Sequence, residues 1–239
     1  MCLRVFVVRK MIWLAIDCSG SSGSIALEQD GRLIYQCYFN IDITHSETLM
    51  PQIDTALKFC KLTPADLSGI VTTIGPGSFT GLRIGLATAK GIAYGLKIPL
   101  LTYSTLELIA ANCYGSKLPI LVCLDAKMQE LYAAMYSSEL KPLIPDCVIS
   151  PEALAARISE PVLLTGNMSD KMIPLLADKG VDVIPALEHQ NLPVAAGLFS
   201  LMQLKPQSIE YNFEALAELE PQYLRESTAQ VRFREKNKK

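Results

Sequence analysis

Apolar and polar positions along this chain change period repeatedly, and each change marks an element. Positions 12–16 are continuously apolar (Ile12, Trp13, Leu14, Ala15, Ile16) and run into Asp17 and a loop of small residues, Cys18-Ser19-Gly20-Ser21-Ser22-Gly23. A second short run, Ser24-Ile25-Ala26-Leu27, is followed by Gln29-Asp30-Gly31 and a β-rich stretch at 32–39. An Asp-Gly pair between two such runs is a hairpin signal, so this region predicts three successive antiparallel strands. Leu49, Ile53, Leu57 and Cys60 then recur at helical spacing, which predicts a helix over 46–61 with Ser46 as its N-cap. A strand at 69–74 enters a Gly/Pro loop, and a long helix is predicted over 80–96. A short strand near Leu100 and a helix over 105–112 close the first half in the order β-β-β-α-β-α-β-α.

The second half begins the same way. Pro119-Ile120-Leu121-Val122-Cys123-Leu124 runs into Asp125, and positions 130–136 read as a returning strand. Ser150-Pro151-Glu152 is a helix start, with Ser at the N-cap and Pro at the first helical position. A strand at 161–165, a helix from Ser169, a strand at 181–184 and a helix from Pro193 continue the alternation. Two apolar strands that each end in Asp and each lead to a hairpin-like return predict an internal duplication. The boundaries drawn from this pattern are a first lobe over 1–115 and a second over 116–225. A polar, basic tail follows over 226–239, and residues 1–10 read as an extension upstream of a start at Met11.

Composition narrows the class. Half of the 239 residues are hydrophobic, 19% are charged and the net charge is −2. A disordered or coiled-coil chain is excluded, and the body lacks the basic stripe of a protein that holds RNA unaided. Seven scattered cysteines form no Cys-x-x-Cys pair, which reads as reduced thiols in a cytoplasmic protein. No apolar run approaches the ~18 residues of a membrane span. The two histidines, His45 and His189, are far apart, so no metal site is expected. Cys18 has no base beside it in sequence and is read as an inert thiol.

The richest segment is Gly75-Pro76-Gly77-Ser78-Phe79-Thr80-Gly81-Leu82-Arg83-Ile84-Gly85. A glycine turn from strand into helix points N–H groups at one spot and suits an anion. The phosphate-loop pattern ending in Lys-Ser/Thr is absent, so the residues alone favour a structural turn with a salt-bridged surface arginine over an anion site. Gly81, Gly85, Gly91 and Gly95 all fall in or at the ends of the predicted helix, at about 1 kcal/mol for each interior glycine. Something must approach that helix closely: either the sheet beneath it or a helix of another chain.

The segments IDCSGSSGSIAL, HSETLMPQID, GPGSFTGLRIGLATAKGIAYGL, LDAKMQELY and PQYLR resemble, in order and spacing, the bacterial TsaB (YeaZ) family. The resemblance implies an α/β fold of the actin-like and sugar-kinase-like (ASKHA) class, with two related ribonuclease-H-like lobes. It implies a cytoplasmic, non-catalytic subunit required for N6-threonylcarbamoyladenosine modification of tRNA position A37. The implied partners are a TsaD-like catalytic subunit and a TsaE-like ATPase, with self-association when these are absent and tRNA reached only through the complex. No catalytic residue, cofactor or metal is implied. Asp17, Ser19 and Asp125 resemble vestiges of the phosphate elements of this class. Docking is implied for the two long N-terminal helices, through His45, Leu49, Ile53, Gly75, Pro76, Gly77, Ser78, Phe79, Thr80, Gly81, Arg83, Gly85 and Ala89. Two departures weaken nucleotide chemistry: Cys18 where the family has Thr, and Asp125-Ala126-Lys127 where it has Asp-Ala-Arg. In the late Leu164-Thr165-Gly166-Asn167, one glycine stands where an adenosine-gripping loop needs several. The alternatives are an active ATPase or phosphotransferase of the same fold and, last, an M22-type peptidase.

Overall fold

The computed structural model describes residues 10–39 and 45–225. Residues 1–9 and the tail after Arg225, for which an upstream extension and a basic tail were expected, lie outside the described residues.

The first lobe comprises β1 (Ile12–Asp17), β2 (Gly23–Gln29), β3 (Arg32–Phe39), α1 (His45–Phe59), β4 (Gly69–Thr73), α2 (Phe79–Leu96), β5 (Leu100–Tyr103) and α3 (Thr105–Ala111). The second comprises β6 (Ile120–Asp125), β7 (Leu131–Tyr136), β8 (Pro142–Ile149), α4 (Pro151–Ala155), β9 (Val162–Thr165), α5 (Ser169–Ala177), β10 (Val183–Pro185) and α6 (Gly197–Leu204). A last helix, α7 (Phe213–Glu218), follows. The sheets run β3-β2-β1-β4-β5 and β8-β7-β6-β9-β10. In both, the first three strands are antiparallel, and the rest continue in parallel from the central strand. The same strand order and directions in both halves are the duplication expected from the repeated apolar strand and Asp. This is the two-lobed actin-like and sugar-kinase-like architecture.

Local chemistry sets the element ends. Asp30 and Gly31 take φ of 51° and 79°, so the hairpin between β2 and β3 closes through two left-handed residues, with Gln29 paired to Arg32. Ser78, Ser104 and Ser150 cap α2, α3 and α4, each accepting from a backbone N–H of the first turn. Helix α1 begins at His45, so Ser46 lies inside it rather than before it; its side chain is outside the described residues. Helix α6 starts at Gly197 rather than Pro193; a short 3-10 turn at 188–191 and a turn at 195–196 come before it.

Three apolar clusters make five layers. Between the sheets, α3 and α6 bury Leu106, Ile109, Leu198 and Phe199 against Trp13 and Val71 of one sheet and Ile120 and Val122 of the other. Outside the first sheet, α1, α2 and α7 cover Leu14, Ile16 and Ile25. Outside the second, α4 and α5 cover Leu121, Cys123 and Leu164. The two sheets divide between α3 and β6, and the chain after α6 crosses back. Gln207 Nε2 donates to the Thr102 carbonyl, and Lys90 Nζ donates to the carbonyls of Ala217 and Leu219, so α7 sits on the first lobe.

Candidate functional site

The loops that follow β1 and β4 meet at the carboxyl end of the first sheet. Asp17 is fully buried and accepts from Thr73 Oγ1 at 2.6 Å and from the Ser19 N–H at 3.4 Å. Ser78 N–H donates to the Ser19 carbonyl at 2.6 Å. At Gly77, a Cβ would stand 2.2 Å from that same Ser19 oxygen, so only glycine lets the two loops close on each other. One turn into α2, Gly85 presses on Cys18: a Cβ there would lie 3.1 Å from the Cys18 Cβ. Burial first, and then the charge of Asp17, pushes the Cys18 thiol far above its ordinary range, which leaves it protonated and inert as a nucleophile.

The equivalent place in the second lobe is built differently. Asp125 is half-buried; its carboxylate takes the Lys127 N–H at 2.8 Å and the Lys127 ammonium at 2.7 Å. The hydrogen bond from the Lys127 side chain, ahead of its backbone bond and its charge, holds the Asp125 carboxyl below the usual carboxylate range. Asn167 Oδ1 accepts from the Asp125 N–H at 2.9 Å. The single glycine of the late loop, Gly166, has φ +104°, and a Cβ there would strike the Cys123 carbonyl at 2.2 Å. The glycine is thus required by the backbone of β6, the strand beside β9. Among the described residues, no group of three or more His, Cys, Asp or Glu side chains could hold a metal ion. No helix of the described residues is long and apolar enough to cross a membrane.

The residues expected on a docking face divide into two sets. Leu49, Ile53, Gly81, Gly85 and Ala89 are buried in the chain's own first lobe, and Gly75 and Pro76 are buried in the loop. Helical spacing identified the helices but not which side of them faces the sheet, so these seven are spent on internal packing. His45 opens α1, with its side chain outside the described residues. Gly77 is part-buried against Ser19, while Ser78, Thr80 and Arg83 face outward. Phe79 is half-buried, stacked on Tyr223 at 4.8 Å between ring centroids, and the Arg83 guanidinium lies 3.9 Å above the Phe79 ring.

The sequence reading did not assign two groups of residues. One is the outward stripe Ala87, Gly91 and Tyr94, which continues Thr80 and Arg83 at three- and four-residue spacing. Among the described residues, no atom beyond the helix's own nearby backbone lies within 4 Å of where a Cβ of Gly91 or Gly95 would stand. The other is the segment around Tyr223 and Arg225, whose PQYLR pattern was recognised without a role.

Comparison with known proteins agrees with this geometry. The family model described as "TsaD: tRNA N6-adenosine threonylcarbamoyltransferase" matches residues 41–231. The TsaB protein of Escherichia coli is 28% identical over 235 residues, covering 90% of this chain and 95% of that protein. The TsaB protein of Bacillus subtilis is 37% identical over 139 residues, 57% of this chain and 61% of that protein, so this match spans about three fifths of the relative. The solved structure titled "YeaZ from Pseudomonas aeruginosa" superimposes with a TM-score of 0.71 at 25% identity, covering 90% of this chain and 100% of that one. With a family model over most of its length and TsaB proteins among its relatives, the chain belongs to the TsaD-type family and, within it, to the TsaB (YeaZ) group.

Proposed function

We propose that the chain is a non-catalytic subunit in N6-threonylcarbamoyladenosine synthesis on tRNA, and that it docks on a TsaD-like catalytic subunit through the outer face of α1 and α2. Its relatives carry the name "tRNA threonylcarbamoyladenosine biosynthesis protein TsaB". The observation that carries the docking part is Gly91. It lies in mid-helix, exposed, and among the described residues nothing outside its own helix backbone comes within 4 Å of where its side chain would begin. Glycine there lowers helix stability by about 1 kcal/mol relative to alanine, and no contact among the described residues offsets it. A backbone that approaches from another molecule would use that space. Met50 and Phe59 on α1 and Tyr94 on α2 add exposed apolar side chains to the same two helices. A TsaE-like ATPase and the modified tRNA would be met through this complex, in the cytoplasm.

The non-catalytic part rests on the two strand-end aspartates. Asp17 is buried under its own loops, Asp125 is paired with Lys127, and Cys18 is a protonated, buried thiol. These features speak against the phosphotransferase and peptidase readings alike.

Two measurements test the proposal. Depleting the protein in its own cells should lower the N6-threonylcarbamoyladenosine content of tRNA several-fold by nucleoside mass spectrometry; unchanged content sinks the biosynthetic role. Gly91→Trp and Ala87→Trp should fold with unchanged thermal stability and bind a TsaD-like subunit more than about tenfold more weakly, or roughly 1.4 kcal/mol. Unchanged affinity in both variants would remove this face from the docking site.

A further inference from the structure

The segment after α7 touches both lobes within four residues. On the first lobe, the Gln222 N–H donates to the Ile74 carbonyl at 2.7 Å, and the Gln222 carbonyl lies so close to Gly75 that a Cβ there would be 2.7 Å from it. Tyr223 stacks on Phe79, and its hydroxyl accepts from Arg83 Nε at 2.7 Å. Two residues later the chain is on the second lobe. Arg225 Nη1 donates to the Ala126 carbonyl at 2.7 Å and to the Lys127 carbonyl at 3.3 Å, Nη2 touches Met128 Sδ, and Nε faces Glu130 Oε2 at 3.6 Å.

The object that Arg225 grips is unusual. Lys127, Met128 and Gln129 have φ of 65°, 50° and 64°, three consecutive non-glycine residues in the left-handed region. Single residues visit that region at turns; a run of three is disfavoured at every step and persists only where its surroundings fix it. Two bonds inside the turn, Ala126 N–H to the Glu130 carbonyl and Glu130 N–H to the Lys127 carbonyl, both 3.0 Å, close it locally. Arg225 adds bonds to two of its carbonyls and an ion pair to its last residue, and the planar guanidinium can make these together where an ammonium cannot.

We infer that residues 221–225 are an interlobe strap: Arg225 is a positioning residue that holds the 126–130 turn in its left-handed form and ties it to Phe79 and Arg83 at the start of α2. The strap makes the turn after β6 and the loop from β4 into α2 move as one body. It is independent of the docking proposal above, since neither a partner nor a nucleotide enters the argument.

The test is amide hydrogen exchange on the isolated full-length chain, with the interior of β6 as the control for global opening. Arg225→Ala should raise exchange at 127–130 by about tenfold or more and also release the Gln222 amide on the other lobe. Tyr223→Ala, which cuts only the first-lobe attachment, should raise exchange at 127–130 at least threefold. Arg225→Lys should behave like Arg225→Ala, and it takes over the test if the alanine variant fails to fold. Trypsin cleavage after Lys127 should accelerate in parallel. If the turn keeps wild-type protection without the Arg225 guanidinium, the inference is wrong. It is equally wrong if Arg225→Ala loosens the turn while Tyr223→Ala leaves it untouched, because Arg225 would then be a local contact and not the end of a tie.

Discussion

Gly85 of α2 rests on Cys18 of the loop after β1, with 3.1 Å between the Cys18 Cβ and the place a Gly85 Cβ would take. Gly91 of the same helix faces open space. The two glycines should therefore respond to substitution with opposite signs. Gly85→Leu overpacks a closed contact and should cost about 1–3 kcal/mol, lowering Tm by roughly 2–4 °C per kcal/mol for a chain of this size. Gly91→Ala should gain about 0.5–1 kcal/mol from backbone entropy alone. Thermal unfolding followed by circular dichroism reads both. Wild-type Tm for Gly85→Leu would mean that this residue is not inside the lobe.

That pair also marks how far the sequence could be read. The strand-Asp-loop pattern at 12–20 and again at 119–126 revealed the duplicated order, because buried central strands are continuous apolar runs whatever surrounds them. Strand β8 went unread: it lies at a sheet edge, carries Pro142 and Pro145, and is exposed or half-buried over most of its length, so no apolar period marks it. Helix α7 is six residues with one buried side chain, Leu216, too short for a 3.6-residue period to emerge. The α2 glycines were visible as an anomaly, yet Gly85 and Gly91 look alike in sequence. Only the loop packed beneath the helix separates a glycine required by Cys18 from one that no described residue approaches. The strap was equally out of reach, since Arg225 and Ala126 are 99 residues apart.

The isolated chain should show no ATP binding by calorimetry, with or without magnesium. In the first lobe, Gly77 is seated on the Ser19 carbonyl and the Ser78 N–H donates to it, where an anion-binding loop would leave its donors open. In the second, the Asp125 carboxylate is bonded to Lys127 at 2.7 and 2.8 Å, where it would otherwise be free for a metal-bound phosphate. Micromolar, magnesium-dependent binding would overturn the vestigial reading of both elements.

Stability should fall on the alkaline side, and Tyr103 should carry part of that fall. Its hydroxyl donates to the Lys205 carbonyl at 2.8 Å. Burial, and after it the charge of Glu107, pushes its phenol up to about 12. The folded value is raised above the unfolded one, so the stabilisation is intact below about pH 10 and is lost as pH climbs toward 12. Each unit within that window removes up to about 1.4 kcal/mol. Burial raises Tyr136 and the Cys18 and Cys123 thiols as well, so Tyr103→Phe should flatten the decline without abolishing it. Urea unfolding at pH 9, 10 and 11 gives the slopes, and equal slopes in the two proteins would discard Tyr103 as their source.

The last prediction concerns Trp13, the single tryptophan of the chain and 4% exposed. It pairs across β1 and β4 with Gly69, and its ring lies over that glycine: a Cβ at Gly69 would stand 2.4 Å from Cζ3 and 2.5 Å from Cη2. Glycine inside a strand is ordinarily a weakness, because it adds unfolded-state entropy and packs nothing. Alanine at position 69 should therefore help, unless the ring forbids it. The ring cannot swing out freely, since it belongs to the packed layer between the sheets with Val71, Leu106 and Phe199. Gly69→Ala should then cost about 1–3 kcal/mol of overpacking and shift the tryptophan emission to the red. Trp13→Leu alone should cost up to about 3 kcal/mol, below the range for truncation to alanine because leucine refills part of the space. In the Trp13→Leu background, however, the far ring atoms are gone and Gly69→Ala should become neutral or stabilising. A coupling energy of about 1–3 kcal/mol between the two changes is the quantity to measure. If Gly69→Ala is equally damaging in the Trp13→Leu background, the backbone of β4 rather than the indole requires the glycine, and the packing account of this position fails.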